Sequence, residues 1–198
     1  QIGRGGGGGF VGDPEHGILI RKAVVCIYAT DRTKFEGGSG PDAAKGGDMT
    51  VLMTYGDSNT HGTPPIVDLG QYNRFDAATR WPVLVARALS WTLVEEGLPG
   101  RTAQFADPVM GAHMNGQDGL KIALQSHGPI DVLTIMLGTN DVKARFGASP
   151  ELVTGGLASL LDIAQSPEMQ TRHGGFRILL ICPPPVLEQG PIADQFYG

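Results

Sequence analysis

From Thr50 onward the chain alternates short apolar runs with amphipathic stretches. Thr50 to Tyr55 is a β-branched, apolar run that stops at Gly56, and it predicts a strand. Residues 79–90 predict a helix, with Pro82 suited to its first turn. Trp91 to Val94 predicts a second strand, ending before Gly97, and residues 117–127 a short helix. Asp131 to Leu137 is almost continuously apolar, as a strand covered on both faces should be. Ser149-Pro150-Glu151 reads as a helix start, with serine as cap and proline in the first turn, and the helix runs to about Gln165 despite Gly155 and Gly156. Arg177 to Cys182 predicts a fourth strand, stopped by Pro183-Pro184-Pro185. Strands and helices alternating at this spacing imply right-handed crossovers and a parallel, doubly wound α/β sheet.

Residues 1–48 break this pattern. They hold 13 of the 30 glycines, including Gly5 to Gly9. Their glycine-rich stretches predict flexible loops around one strand-like patch, Ala23 to Tyr28. The division expected is therefore a partly flexible N-terminal extension over 1–48 and an α/β domain over 49–198. Fifteen basic against twenty acidic residues give a net charge of −5, which leaves no basic surplus for nucleic acid. No apolar run approaches the 18 residues of a membrane span. Cys26 and Cys182 make no disulfide framework and no zinc-ligand spacing. Without a basic segment and small-residue cleavage site at the start, a cytoplasmic location is the expectation.

In doubly wound sheets the site lies outside the carboxyl ends of the strands. The first strand is followed by Gly56-Asp57-Ser58, the second by Glu95-Glu96-Gly97-Leu98-Pro99-Gly100-Arg101-Thr102, and the third by Gly138-Thr139-Asn140-Asp141. Three strand ends thus carry small, polar, glycine-flanked residues in one plane. Ser58 sits where strand turns into helix, a place that exposes a hydroxyl beside helix N–H groups. Taken singly, Asp57, Ser58 and Asp141 also suit helix or turn caps, Asn140 a turn and Gly100 a positive φ.

Together these segments resemble blocks I, II and III of the SGNH (GDSL-type) hydrolases. The stretches Glu95 to Thr102 and Ile135 to Ala144 are similar to the bacterial arylesterase/acyltransferase branch. The resemblance covers roughly residues 49–190. It implies a flavodoxin-like three-layer α/β/α fold with a parallel sheet, and a serine esterase acting on short acyl esters of aryl or simple alcohols, with acyl transfer to alcohols as a further capacity. Carried over, it makes Ser58 the nucleophile. The Ser58 N–H, the Gly100 N–H and the Asn140 amide become the oxyanion donors, with Asp57 and Asp141 supporting. It implies no cofactor and no metal. Phe75, Trp81, Phe105, Met110 and Phe146 are candidates for an apolar pocket as well as for ordinary packing.

One family element does not map. The resemblance implies a histidine base three residues after an aspartate, beyond a fifth strand. The one Asp-x-x-His spacing in the chain is Asp13-Pro14-Glu15-His16, which precedes the serine. His61 reads as lining the pocket mouth, and His113, His127 and His173 as surface or capping residues. The expectation is that a separate C-terminal polypeptide carries the Asp-x-x-His pair and covers the apolar edge left by the fourth strand, or that the chain is a homo-oligomer. Two other functions stay open. One is a base-less scaffold or binder with a preserved pocket. The other is a flavodoxin-like phosphate or flavin binder built on Ser58-Asn59-Thr60-His61-Gly62-Thr63.

Overall fold

The computed structural model describes residues 49–186 and 188–196. The glycine-rich extension, with its strand-like patch, His16 and Cys26, lies outside the described residues. Four strands form one parallel sheet: β1 (Val51–Gly56), β2 (Thr92–Gly97), β3 (Val132–Met136) and β4 (Arg177–Leu180), in the order β2-β1-β3-β4. The expected parallel, doubly wound architecture is present.

Alternation across the pleat decides what each strand buries. Met53 and Tyr55 of β1, Leu133 and Ile135 of β3 and Ile178 of β4 join one cluster. Leu120 and Leu124 of α3 (Gly116–Ser126) and Leu160 and Ala164 of α4 (Pro150–Gln165) complete it. β1 and β3 are the central strands, so nearly all of their residues are buried, and their sequences show no apolar–polar alternation.

The helix starts follow from their caps. Ser149 Oγ accepts from the Leu152 N–H at 3.3 Å, with Pro150 in the first turn of α4. The same device recurs at Ser166-Pro167-Glu168, where Ser166 Oγ accepts from the Met169 N–H at 3.3 Å and starts a short helix, α5 (Pro167–Arg172). The hydrophobic pattern alone had not indicated α5. Two further helices, α1 (Ser58–His61) and α2 (Trp81–Leu89), pack beside β2.

Boundaries move by a few residues. β2 runs on to Gly97 because Glu95 and Glu96 pair with Thr54 and Tyr55 of β1. β4 stops at Leu180, although the Ile181 N–H still donates to Ile135 O at 2.8 Å. Among the described residues, no strand pairs with the outer edge of β4.

Candidate active site

The turn after β1 is one helical turn long and sits directly on the strand ends. A Cβ at Gly56 would stand 2.0 Å from Thr60 Oγ1, and one at Gly97 would stand 2.4 Å from the His61 nitrogen. Glycine at both strand ends is thus what lets α1 approach the sheet. Asp57 caps α1: its Oδ1 accepts from the Asn59 N–H at 2.8 Å and from Asn59 Nδ2 at 3.0 Å. Ser58 follows as the first helical residue. Asn59 is itself tied down, donating to Thr139 Oγ1 at 3.3 Å and accepting from Trp81 Nε1 at 3.2 Å.

The loop after β2 turns at Gly100, whose φ of +93° favours glycine. The Leu98 N–H donates to Gly56 O and the Arg101 N–H to Leu98 O, both at 3.0 Å, so this loop is stitched to the end of β1. Arg101 is the anchor beneath it. Its guanidinium lies 4.1 Å from the Tyr55 ring centroid and donates to the carbonyls of Gly56 and Glu96.

The loop after β3 closes the set. Asn140 Nδ2 donates to Arg101 O at 3.0 Å and, less closely, to Asp57 Oδ2 at 3.4 Å. It therefore touches the residue after Gly100 and the residue before Ser58. Asp141 is fully buried, and both its oxygens accept from the Ala103 N–H at 2.9 Å. All five site residues named from the sequence are brought into one cross-linked cluster. Among the described residues the Ser58 hydroxyl, the Ser58 N–H and the Gly100 N–H have no hydrogen-bond partner.

Burial sets the local electrostatics. Desolvation pushes the Asp57 carboxyl up to about 6. Hydrogen bonds from Asn59 and Thr139 oppose that shift, and the nearby Asp141 carboxylate adds to it. Desolvation also raises Asp141, against the backbone N–H donors of Ala103 and Gln104. Lys143, three residues past Asn140, is only 6% exposed, and its ammonium has no hydrogen-bond or ion-pair partner among the described residues. Burial and then Arg145 hold its ammonium below the ordinary lysine value, while Asp107 and Asp57 pull the other way.

None of the described histidines hydrogen-bonds to Ser58 through its ring. The His61 ring is buried against Thr63 Oγ1 and Tyr72 OH, each at 2.9 Å. His127 pairs with Glu96 at 2.8 Å, and His113 lies beside Gly111. His173 is the C-cap residue of α5, one of the two roles expected for it, but it does not lie on the surface. It is a core residue that accepts from the Ile130 N–H at Nδ1 (3.3 Å) and bonds Leu124 O through Nε2 (3.0 Å). The phosphate-loop alternative loses two of its three hydroxyls: Thr60 Oγ1 is buried without a partner and Thr63 Oγ1 is bound to His61. Sequence reasoning missed Arg101 and Lys143 as contributors. The available signal was their place inside the two strand-end loops.

The model of the GDSL-like lipase/acylhydrolase family matches residues 54–197. Among solved structures, the chain is similar to Est24, a carbohydrate acetylesterase of Sinorhizobium meliloti, at 29% identity and a TM-score of 0.67, over 74% of this chain and 71% of that one. It is equally similar to the inhibitor-bound aryl esterase of M. smegmatis, with the same identity, TM-score and coverages. With the native form of the M. smegmatis enzyme the identity is 34% and the TM-score 0.56, over 59% of this chain and 55% of that chain's length. No curated protein matches the chain.

Proposed function

The chain belongs to the GDSL-like lipase/acylhydrolase family, whose members include SGNH ester hydrolases, and from that premise we propose that it works as a serine esterase through an acyl-enzyme on Ser58. One observation carries the reading. The N–H groups of Ser58 and Gly100 lack acceptors at the ends of two neighbouring strands, and the Asn140 amide bridges the two loops that hold them. Three donors so placed would receive an ester carbonyl oxygen as it becomes an oxyanion. The 3.4 Å contact from Asn140 to Asp57 is the weaker of its two bonds, so that hydrogen is the one to be shared with substrate.

In the reaction, Ser58 Oγ attacks the carbonyl carbon and gives its proton to a base. The C–O bond to the alcohol breaks, and the base returns the proton to the departing alkoxide. Water, or an acceptor alcohol, then attacks the acyl-serine through the same base, releasing acid or a new ester. The base is proposed to be a histidine of an Asp-x-x-His pair, which no described residue supplies. Asp57 and Asp141 act as positioning residues that hold Asn140 and the Gly100 loop. Short acyl esters of aryl or simple alcohols are the proposed substrates. Support comes from the likeness to an aryl esterase and to a carbohydrate acetylesterase.

The test is Ser58→Ala in any preparation that hydrolyses p-nitrophenyl acetate. Turnover and labelling by a serine-directed fluorophosphonate should both vanish. Retention of most activity would remove Ser58 from the mechanism. Asn140→Ala should lower turnover about 10²–10³-fold with the fold intact. Gly100→Val is a poorer probe, because a Cβ there meets positive φ and the end of Met110.

A further inference from the structure

One side chain beside the proposed oxyanion site has no part in the mechanism above. The segment after the Gly100 loop closes on itself at Asp107 and Gly111. The Gly111 N–H donates to Asp107 O at 2.8 Å, and the Asp107 N–H to Gly111 O at 3.3 Å. Inside this small loop the buried Asp107 carboxylate accepts from the N–H groups of Val109 (2.8 Å) and Met110 (3.0 Å). Its other oxygen pairs with Arg145 at 2.5 Å. Arg145 belongs to the 3-10 turn Ala144–Phe146 that follows the Asn140 loop, and the Phe146 ring of that turn stacks on Phe105 at 5.0 Å. Ion pair, ring stack and backbone bridge therefore fix the loop from both the β2 and the β3 side.

What the loop presents is Met110. An ideal Cβ on Gly100 would lie 2.6 Å from Met110 Cε and 2.8 Å from its Sδ, so the thioether rests on the Gly100 α-carbon. Met110 is nevertheless 40% exposed, so its side chain covers the buried Gly100 on one side and meets solvent on another. A carbonyl oxygen accepting from the Gly100 N–H at an ordinary distance puts its carbon about 4 Å from that nitrogen. Met110 is then the side chain that a substituent passing the α-carbon of Gly100 would meet.

We propose that Met110 is a specificity-determining residue that sets the length of the ester substituent lying beside Gly100, favouring short groups. The inference rests on the reading that Ser58 and Gly100 form the ester-binding centre. Met110 acts as an apolar wall and makes no contact with the reacting atoms. Being unbranched and flexible, it grades substituents by length instead of rejecting them outright.

Wild-type, Met110→Ala and Met110→Leu proteins would be assayed on p-nitrophenyl acetate, butyrate, hexanoate and octanoate. A second series would use the acetates of ethanol, butanol and hexanol, with Ser58→Ala as the blank. Removing the thioether opens room for roughly two or three methylenes, each worth about fourfold in kcat/KM. The long-to-short ratio of kcat/KM should therefore rise at least about tenfold for Met110→Ala in one series. Met110→Leu should stay near the wild-type ratio, and the series that changes identifies whether the acyl or the alcohol group lies there. Where turnover is too slow to resolve, labelling rates with ethyl and octyl fluorophosphonates give the same ratio. An unchanged ratio in both series, or all lengths falling together, would overturn the proposal. Failure of the underlying reading looks different: Ser58→Ala would then keep its activity, or the wild-type protein would resist labelling.

Discussion

The turn after β1 and the loop after β3 each bury one aspartate completely, yet the two carboxylates are held in different ways. Asp141 is gripped by backbone: both its oxygens take the Ala103 N–H, which clamps the β3 loop to the β2 loop. Asp57 is gripped mostly by side chains that could turn away, Asn59 and Asn140, and by one N–H of its own helix. A backbone clasp serves the fold first and the site through it. A carboxylate aimed at a donor amide serves the site first, and the fold bears the burial. The two positions should therefore respond oppositely to substitution.

The largest effect is expected at the clasp. Asp141→Ala leaves the buried Ala103 N–H without its acceptor and opens a cavity between two loops. A loss of about 2–4 kcal/mol of stability follows, read as a lower denaturant midpoint at unchanged m. Asp141→Asn keeps one acceptor oxygen and should recover part of it. Wild-type stability in Asp141→Ala would show that the two loops do not depend on this bond.

Next comes Asp57→Asn. The amide still caps the Asn59 N–H, but it can set a donor against the Asn140 amide, so turnover should fall about 10–100-fold. Stability should move the other way. The folded-state pKa of Asp57, about 6, lies above the ordinary 3.8. Between those values the folded protein keeps a proton that the unfolded chain has released, so stability falls as pH rises from 3.8 to 6. The loss is complete above 6, and two pH units correspond to about 3 kcal/mol. Asp57→Asn escapes it. The stability gap between variant and wild type should be near zero at pH 4 and reach about 1–3 kcal/mol by pH 7.5, in favour of the variant. A gap that does not change across that range would refute the claim that burial dominates at Asp57.

The same contrast explains how much could be read beforehand. The four strands, their parallel order, and the meeting of Ser58, Gly100 and Asn140 were legible, because glycine-flanked polar residues after apolar runs mark strand ends in a doubly wound sheet. Helix α5 was written in the same Ser-Pro-Glu signature that announced α4, but six residues are too short to show a helical period. His173 caps α5, one of its two expected roles, but its burial was hidden because its side-chain partners, Ile130 N–H and Leu124 O, lie more than forty residues away. Nothing local marks a histidine as a core residue. Lys143 and Arg101 were hidden for a related reason. A charged residue in a loop reads as solvated, and only the closure of three loops on one another buries it.

The smallest effect concerns the charge between the two regions. Lys143 follows Asn140 on the β3 loop and feels the Asp57 carboxylate at the end of β1, yet no described group pairs with its ammonium. Desolvation holds its folded pKa below the ordinary 10.5. The unfolded chain therefore keeps the proton longer, and stability rises with pH between the lowered value and 10.5. Lys143→Met replaces the stem with one of similar shape and no charge, so it should stabilise the protein by about 1 kcal/mol at pH 7. That advantage should shrink toward pH 10 as wild-type Lys143 gives up its proton. The substitution also removes a positive charge that favours ionised Asp57. The pH window in which Asp57→Asn gains stability should then shift upward when the two changes are combined. Differential scanning calorimetry of the two single variants and the double variant between pH 4 and 10 tests both statements. A double variant whose window stays where Asp57→Asn alone places it would mean that Lys143 and Asp57 titrate independently, and that no charge coupling links the two loops.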